Sequence, residues 1–422
     1  MTYLHQTQGA LLATAITFNL ALGCGGVLGC SGGVDGTRNA PADGGADKDG
    51  TVRADAGPDG AEGPDGSVGF GVGRRLSVAH NTSCFVRAGS VYCWGANEFG
   101  QYGDGSRDES AHPIAALTDY QDAASITLSR WASHVIAADG DLFAAGLDNH
   151  EQLPFETTTP MQITAPSAVA HVAGTYRANC YVLASDGALR CRGENTNGEV
   201  GDGSDGTATD YVDVGLSGVT SLTAGLDFFC AVSGGDVYCW GSNAKGQMGN
   251  DAGGDGLKQT TPQSVDLPAN AVEVAAGSAH ACARVVGGDV YCWGINWGGQ
   301  AGSDSDATQC GPHACIRAPQ KVDMTNAVAL AASDNASCAL VDGGTVACWG
   351  EGDIATGAAL LADVVELASG HESAHFCART VEGANETVRC WGTNDSTGQL
   401  GRGSVINDDA ERLTPAPVTL PD

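Results

Sequence analysis

Pairs of cysteines recur along this chain, and each pair flanks a short turn. There are six such pairs: Cys84 with Cys93, Cys180 with Cys191, Cys230 with Cys239, Cys282 with Cys292, Cys338 with Cys348, and Cys377 with Cys390. If Ala88 and Gly89 form a two-residue turn, counting outward places Cys84 directly opposite Cys93. Directly opposed residues of a hairpin lie close enough for a disulfide. The spacing therefore predicts one disulfide across each of the six hairpins.

A seventh copy of the hairpin lacks both cysteines. We expect Ile136 and Ala144 to occupy the two cysteine positions in this copy. Because this copy lacks both cysteines together, we expect the two cysteines of each of the other six copies to be bonded to each other. Sixteen cysteines in an even pattern also favour an oxidising compartment. The alternative is that the paired cysteines are reduced and act as small core residues.

Composition narrows both the fold class and the classes of partner. The 62 glycines and the 6% aromatic content favour an all-β fold with tight turns over long helices. The net charge of −30 opposes binding to nucleic acids and to anionic lipid surfaces. Such a charge keeps a protein soluble, and it could also attract cations or basic partners. We expect a monomer.

The N-terminal residues 1–30 have the pattern of an export signal. Residues 10–22 are almost wholly apolar, too short for a membrane span and suited to the core of a signal peptide. The segments ending at Cys24 and Cys30 both resemble the lipobox of bacterial lipoproteins, so either cysteine could carry the lipid. This predicts a protein of the bacterial outer membrane or cell surface that touches the membrane only through its anchor. The alternative is an ordinary secreted protein.

Residues 31–67 form a predicted disordered linker. They consist mainly of Asp, Gly, Ala and Pro, with scarcely any large apolar side chain to bury. The spacing of Asp43, Asp47 and Asp49 is faintly similar to a calcium loop, but the full motif is missing. Whether the linker binds calcium stays open at this point.

From residue 68 to residue 422 the hairpin motif recurs every forty to fifty-odd residues. A period of this length is typical of units that stack or close into a ring. Each unit contains four short strand candidates, the first of which has a Pro-x-x-Val pattern, as in residues 262–265. Seven units of four strands predict a seven-bladed β-propeller. The final residues 415–420 match the first strand of a unit, so we expect the C-terminus to complete the N-terminal blade.

These repeats resemble the regulator of chromosome condensation repeat family, which is sometimes grouped with bacterial BNR repeats. The resemblance is carried by VYCWGANEFGQYGDG at 91–105, RCRGENTNGEVGDG at 190–203, VYCWGSNAKGQMGN at 237–250, VYCWGINWGGQAG at 290–302, and RCWGTNDSTGQLGRG at 389–403. It implies a propeller whose loop face binds another protein, as in a secreted propeller that caps β-lactamases. Eukaryotic members exchange nucleotide on a small GTPase, a role that follows here from family analogy alone.

The turn and core positions of the repeat are interpreted as scaffold. Five tryptophans follow a hairpin cysteine and are expected to pack between blades: Trp94, Trp240, Trp293, Trp349 and Trp391. Five asparagines suit the turns that follow: Asn97, Asn195, Asn243, Asn296 and Asn394. Three histidines, His134, His280 and His375, are assigned the same place in their repeats and are interpreted as hydrogen-bonded structural residues.

An insert at residues 303–318 lies outside the repeated hairpin. Cys310 and Cys315 flank His313 within it, a set that could hold a metal, but a local disulfide is favoured in an exported chain. The insert, with His313 and Arg317, is the candidate loop for partner contact.

No group of nucleophile, base and orienting residue recurs with shared spacing, so the sequence assigns no catalytic, cofactor or metal residues. The leading hypothesis is a binding scaffold that recognises a protein or glycan through loops on one propeller face. The alternatives are a propeller hydrolase or lyase with carboxylates at the ring mouth, and nucleotide exchange.

Overall fold

The computed structural model describes residues 74–250, 258–302, 308–310, 312–351, 354, 358–392 and 395–421. The predicted signal peptide, the acidic linker and both candidate lipidation sites, Cys24 and Cys30, lie outside the described residues. Among the residues it describes, no helix is long and apolar enough to cross a membrane.

The chain folds as an all-β propeller of seven blades, and each blade is a small antiparallel sheet in which consecutive strands pair. Blade 1 contains β1 (Leu76–Ala79), β2 (Thr82–Arg87), β3 (Ser90–Asn97) and β4 (Asp108–Leu117). Blade 2 contains β5 (Ala123–Leu128), β6 (Ala132–Ala137), β7 (Leu142–Gly146) and β8 (Thr157–Gln162). Blade 3 contains β9 (Val169–Gly174), β10 (Ala178–Leu183), β11 (Leu189–Gly193) and β12 (Ala208–Asp213). Blade 4 contains β13 (Val219–Ala224), β14 (Phe228–Ser233), β15 (Asp236–Ser242) and β16 (Lys258–Val265).

The remaining blades vary more in their outer strands. Blade 5 contains β17 (Ala271–Ala276), β18 (His280–Val285), β19 (Val290–Ile295), β20 (Thr308–Cys310) and β21 (His313–Lys321), with β20 as a fifth, outermost strand. Blade 6 contains β22 (Ala327–Ala332), β23 (Ala336–Val341) and β24 (Thr345–Gly350). Blade 7 contains β25 (Val364–Ala368), β26 (His375–Glu382), β27 (Asn385–Gly392) and β28 (Ala416–Pro417). The short helix α1 (Asp409–Leu413) lies in the connection between β27 and β28.

The first strand of every blade lies innermost, and these strands close the ring. Each contacts the first strand of the next blade, from β1 through β5, β9, β13, β17 and β22 to β25. Strand β25 in turn contacts β1. Residues of six of them, β1, β5, β9, β13, β17 and β25, line a pocket at the centre of the ring. The predicted circular architecture is therefore confirmed.

The expected position of the Pro-x-x-Val strand within the repeat was wrong by one strand. Val265 pairs with Val237, so this segment is the outermost strand of blade 4 and not the first strand of blade 5. For the same reason, Ala416 pairs with Cys390 and completes blade 7 instead of the N-terminal blade. Proline lacks the N–H that an inner strand must donate, and it is tolerated at an outer edge.

The hairpin prediction is confirmed in all six copies. In the first copy, Ala88 and Gly89 have φ values of 50° and 80°, as a two-residue hairpin turn with the favoured twist requires. Cys84 then lies opposite Cys93, and the two are bonded. The other five disulfides join Cys180 to Cys191, Cys230 to Cys239, Cys282 to Cys292, Cys338 to Cys348, and Cys377 to Cys390.

The register predicted for blade 2 was wrong by two residues. Ile136 pairs with Leu142, while His134 lies opposite Ala144 in the place of the first cysteine. The hairpin is centred on Asp139 and not on Gly140, and moving the centre by one residue moves each pairing by two. His134 is therefore not equivalent to His280 and His375, which lie opposite glycines.

Tryptophans after the hairpin cysteines join neighbouring blades, as expected. The indole Nε1 of Trp293 donates to the main-chain oxygen of Gln247 in the preceding blade at 2.8 Å. Trp94 makes the same contact with Gln399 at 2.9 Å, across the junction between blades 7 and 1. Blade 3 carries Arg192 at this position, and its guanidinium donates to two carbonyls of the blade 2 loop. The equivalent side chains thus link successive blades.

Candidate functional site

The two ends of the ring differ in structure. In an antiparallel meander, successive connections lie at alternate ends. The tight turns between second and third strands share one end, which we call the hairpin face. The turns between first and second strands lie at the other end, with the longer connections between third and fourth strands. We call this end the loop face.

The turns between first and second strands meet around the axis of the loop face. The amide of Tyr176 donates to the oxygen of Leu226 at 2.9 Å, and the amide of Leu226 donates to Ser278 at 3.0 Å. The amide of Asp334 donates likewise to the oxygen of Ser373 at 2.9 Å. Backbone hydrogen bonds between blades thus fix the inner rim of this face.

Blade 7 has a longer turn at the rim, and this turn crosses the axis. It spans residues 369–374, compared with residues 175–177 in blade 3. Its His371 Nε2 lies 2.8 Å from the oxygen of Gly174, and the amide of Glu372 donates to Ser278 Oγ at 2.8 Å. The Glu372 carboxylate forms an ion pair with Arg130. We call His371 and Glu372 the axial plug because they tie blade 7 to blades 2, 3 and 5.

Burial keeps the histidines of the plug region neutral at physiological pH. It is the main cause that lowers the pKa of His371 below its ordinary value. It also lowers the pKa of neighbouring His80 to about 4, with a smaller contribution from Arg130. A neutral ring can accept or donate a single hydrogen bond at each nitrogen, which suits the contact with Gly174.

Next to the plug, arginines stack on aromatic rings. The guanidinium carbon of Arg130 lies 4.9 Å from the ring centroid of Trp131 and 5.0 Å from that of Tyr176. Arg177 lies 5.2 Å from the Tyr176 ring centroid, and the two aromatic rings are 5.2 Å apart. These distances are within the range of cation–π attraction. We call Arg130, Trp131, Tyr176 and Arg177 the axial cluster.

Several carboxylates next to the axial cluster have cationic partners. Arg177 bonds Asp227 at 2.8 Å and Glu194 at 3.3 Å. His150 Nδ1 lies 2.7 Å from the second Glu194 oxygen. Burial raises the pKa of Asp227, whereas a hydrogen bond from the Thr196 hydroxyl is the main cause that lowers the pKa of Glu194. The site is therefore a network of paired charges beside two aromatic rings, of which Trp131 is buried and Tyr176 is half-buried.

The axial cluster was not predicted from the sequence, although the sequence contains a signal for it. Trp131 lies outside the register of the five core tryptophans and was not assigned a role. In the structure, Trp131, Arg177 and Asp227 all occupy the residue before the second strand of their blades. Large or charged residues at one equivalent position in three consecutive repeats indicate a shared surface at the axis.

The three predicted structural histidines are hydrogen-bonded, each to a side chain of the next blade. His280 Nε2 lies 2.8 Å from Ser337 Oγ, and His375 Nε2 lies 2.7 Å from Ser83 Oγ. His134 Nε2 lies 3.3 Å from Asn179 Nδ2. They lie between different pairs of blades, so the structure does not bring them together. No cluster of three metal-binding side chains occurs within the described ranges.

Asparagines at the start of the loop-face connections have the predicted turn role. The amide of Tyr102 donates to Asn97 Oδ1 at 3.0 Å, and the amide of Ala301 donates to Asn296 Oδ1 at 2.8 Å. In blade 7 the equivalent acceptor is Asp395, which receives the amide of Leu400 at 3.0 Å. Asn394, the residue predicted for this role, lies outside the described residues.

The candidate contact loop forms the outer hairpin of blade 5. Cys310 and Cys315 are bonded to each other, so the alternative of a metal held by their thiolates was wrong. His313 and Arg317 are half-buried on β21, and a guanidinium nitrogen of Arg317 donates to the oxygen of Gln309 at 3.1 Å. The structure places these two residues on the outer strands of the blade and not in the axial cluster.

Comparison with known proteins agrees with this geometry. Two models of the regulator of chromosome condensation (RCC1) repeat match the chain, one at residues 234–284 and one at residues 219–247 and 271–300. The matched residues fall within blades 4 and 5. The chain contains RCC1 repeats.

The RCC1-repeat propeller is similar in sequence to the human E3 ubiquitin-protein ligase HERC2. The two are 26% identical over 368 residues, which is 78% of this chain and 7% of HERC2. The secretion-regulating guanine nucleotide exchange factor of Bos taurus is 26% identical over 76% of this chain and 63% of its own length. The chain thus spans less than two thirds of both relatives.

Among solved structures, the propeller is similar to Prp20p from Saccharomyces cerevisiae, whose binding to Gsp1p and histones has been described. The TM-score is 0.61 at 18% sequence identity, over 70% of this chain and 80% of Prp20p. At this identity the likeness shows the shared fold alone.

Proposed function

We propose that this RCC1-repeat propeller is an exported, lipid-anchored binding scaffold that recognises a partner protein through its loop face. The single observation that carries the proposal is the axial cluster, in which two arginines stack on Trp131 and Tyr176 at the centre of that face. Arginine, tryptophan and tyrosine are the residue types enriched in the energetic centres of protein interfaces. A glycan is the alternative ligand, because sugars also stack on aromatic rings.

The relatives support a protein partner over other classes. Prp20p shares the fold and is described as binding the proteins Gsp1p and histones. The acidic net charge of −30 opposes a nucleic-acid partner. We propose that the propeller acts as a monomer.

Disulfide bonding supports the proposed location. Seven cysteine pairs are bonded in the described chain, and such bonds persist in oxidising compartments outside the cytoplasm. The apolar residues 10–22 supply the export signal in this proposal, and Cys24 or Cys30 supplies the lipid anchor at the outer membrane or cell surface. A secreted protein without the lipid is the alternative.

We propose a binding role in preference to an enzymatic one because of how the carboxylates at the mouth are paired. Asp227 and Glu194 share Arg177, and Glu372 bonds Arg130. An arginine occupies each of these carboxylates in an ion pair, so none of the three is free to face a substrate as a general acid or base. Nucleotide exchange, the activity named for the bovine relative, remains an alternative by family analogy alone.

The test compares one substitution on each face of the ring. Tyr176→Ala removes the ring that stacks with both arginines, while Val286→Ala truncates a side chain that is 52% exposed on the hairpin face. Both purified variants are immobilised, exposed to envelope and surface proteins from the source cell, and cross-linked, and the bound species are identified by mass spectrometry.

We expect the wild type and Val286→Ala to retain the same partner. We expect Tyr176→Ala to bind it at least about tenfold more weakly, since an aromatic residue at the energetic centre of an interface contributes about 2 kcal/mol or more. Equal retention by the two variants would contradict a loop-face site. Retention that disappears after glycosidase treatment of the extract would assign the site to a glycan.

A further inference from the structure

Blade 6 differs from the other six blades at its outer edge. In each of the others the third strand pairs with a further strand, as Cys292 does with Gln320 and Cys239 with Gln263. Within the described ranges, no strand pairs with the outer edge of β24. Buried Ile354, Ala358 and Leu361 fill the core of this blade. The core is therefore complete although the sheet has three strands.

The missing strand leaves the end of β24 partly uncovered. Cys348, Trp349 and Gly350 are half-buried. The equivalent cysteines and tryptophans elsewhere are fully buried: Cys93, Cys191, Cys239, Cys292 and Cys390, with Trp94, Trp240, Trp293 and Trp391. These three positions are thus less buried in β24 than the equivalent positions are in every other blade. Ile354 and residues 358–363, the described part of the connection after Glu351, do not bury these three positions as a fourth strand does in the other blades.

The outer edge of β24 also presents backbone hydrogen-bonding groups. Cys338 and Cys348 have Cα atoms 4.0 Å apart, the spacing of a non-hydrogen-bonded pair, so the N–H and C=O of Cys348 and Val346 point away from β23. In blade 5 the equivalent carbonyl, that of Val290, accepts the amide of Val322 at 2.9 Å. The carbonyl of Val346 accepts no backbone amide from any described residue.

The composition of blade 6 and the apolar surface near this edge restrict what could bind there. Blade 6 and the connection that follows it, residues 327–363, contain five acidic residues and no Lys or Arg, and Glu351 comes directly after β24. Leu360 is 72% exposed nearby in the chain, and Trp297 of the adjacent blade 5 loop is 54% exposed. This combination favours an occupant with positive charge and some apolar side chains.

We propose that the open edge of β24 is a docking site for a basic, extended segment of a partner protein, which adds the missing fourth strand to blade 6. Extended segments bind sheet edges through main-chain hydrogen bonds, with alternate side chains giving specificity. A second copy of this chain is disfavoured because each copy carries a net charge of −30. This site is separate from the loop-face cluster and is tested separately.

The probe is a synthetic peptide with the sequence of residues 316–322, IRAPQKV, which forms the corresponding outer-strand segment in blade 5 and has two positive side chains. One control peptide carries an N-methyl group on its final valine, because that amide donates to the third strand in blade 5. A second control replaces the arginine and lysine with glutamate. Binding to the full-length protein is measured by calorimetry, and hydrogen exchange of residues 345–350 is followed by mass spectrometry.

We expect the basic peptide to bind and to slow hydrogen exchange in residues 345–350. We expect each control peptide to bind at least about tenfold more weakly. In the N-methylated peptide, the lost hydrogen bond and the steric block by the methyl group remove roughly 1 kcal/mol or more of binding free energy. No binding at millimolar peptide, or equal binding of the N-methylated peptide, would overturn the proposal. Slow exchange of residues 345–350 in the free monomer, or dimerisation through this edge in sedimentation, would assign the edge to another occupant and would also overturn it.

A matched pair of variants provides a second measurement. Val346→Pro removes the outward N–H and is compatible with an edge position, while Val346→Ala removes the same side chain and keeps the N–H. We expect peptide binding to persist in Val346→Ala and to fall in Val346→Pro. Equal affinities in two folded variants would contradict the strand-addition geometry.

Discussion

The imidazole Nε2 of His371 lies 2.8 Å from the main-chain oxygen of Gly174, which joins the turn of blade 7 to blade 3 across the propeller axis. His371 is 3% exposed, so this hydrogen bond forms in a region shielded from water. The adjoining Glu372 reaches blades 2 and 5 from the same turn. One turn therefore contacts three other blades and stabilises the closed ring at its centre.

The first prediction concerns the axial plug. His371→Ala is expected to lower the free energy of unfolding by about 1–3 kcal/mol, because it leaves the Gly174 carbonyl without this buried partner. Urea unfolding followed by fluorescence measures the change. His313→Ala, on the outer hairpin of blade 5, is the control and is expected to have a smaller effect. Equal effects of the two substitutions would show that the plug does not stabilise the ring.

The second prediction concerns acid stability and the fully buried histidines. Burial lowers the pKa of His280 from 6.5 to about 3 and that of His375 likewise to about 3. The unfolded chain therefore takes up protons below pH 6.5 that the folded protein does not, so stability present above pH 6.5 is lost as the pH falls toward 3.

Each histidine is expected to contribute up to about 1.4 kcal/mol per pH unit within that window. His280→Asn removes one titrating group, so the unfolding free energy of this variant should fall less steeply between pH 6.5 and pH 4.5 than that of the wild type. Urea midpoints at four pH values give the slopes. Parallel slopes would mean that His280 is not held neutral in the folded protein.

The third prediction concerns the indole contacts between blades. Trp293→Phe keeps an aromatic ring in the core but removes the Nε1 donor to Gln247, and it is expected to lower the unfolding free energy by about 1 kcal/mol or more. Trp297→Phe changes a tryptophan that is 54% exposed, and little change is expected. Thermal unfolding compares the two. Equal stability of the Trp293→Phe and Trp297→Phe proteins would show that the indole hydrogen bond does not stabilise the propeller.

The fourth prediction concerns the hairpin disulfides. Replacing Cys230 and Cys239 together with alanine removes a cross-link between residues 9 apart in sequence, and the chain-entropy model gives a loss of about 2–3 kcal/mol. Replacing Cys310 and Cys315 opens a link of separation 5 on the outer hairpin, where a smaller loss is expected. Denaturant unfolding without reductant measures both. A larger loss from the outer pair would contradict the assumed role of the hairpin bonds.

The repeat made the ring and its disulfides predictable, because hairpin pairing depends on local counting. Cys84 and Cys93 needed only the position of the turn between them. The same counting was wrong in blade 2, since two adjacent residues, Asp139 and Gly140, both suit a turn centre. Residues 262–265 could form either the last strand of one blade or the first strand of the next. Which of the two they form depends on where the chain returns to the axis, and the local sequence pattern does not determine this.

The candidate sites were harder to predict because they depend on contacts between distant repeats. Arg130 and Tyr176 belong to different blades, and Glu372 comes from near the end of the chain. Neither spacing nor composition places these residues together before the ring is closed. The open edge of β24 is likewise visible only by comparison with the other blades, where a fourth strand covers the equivalent cysteine.

Peptide mapping of the mature, unreduced protein from its native cells tests whether the propeller is cross-linked within its repeats and exported. We expect seven disulfide-linked peptides, each joining two cysteines of a single repeat, and a chain that begins at an acylated Cys24 or Cys30. Free thiols at the hairpin cysteines, or links between different repeats, would contradict the cross-linked propeller. An intact Met1 on such a chain would contradict its export.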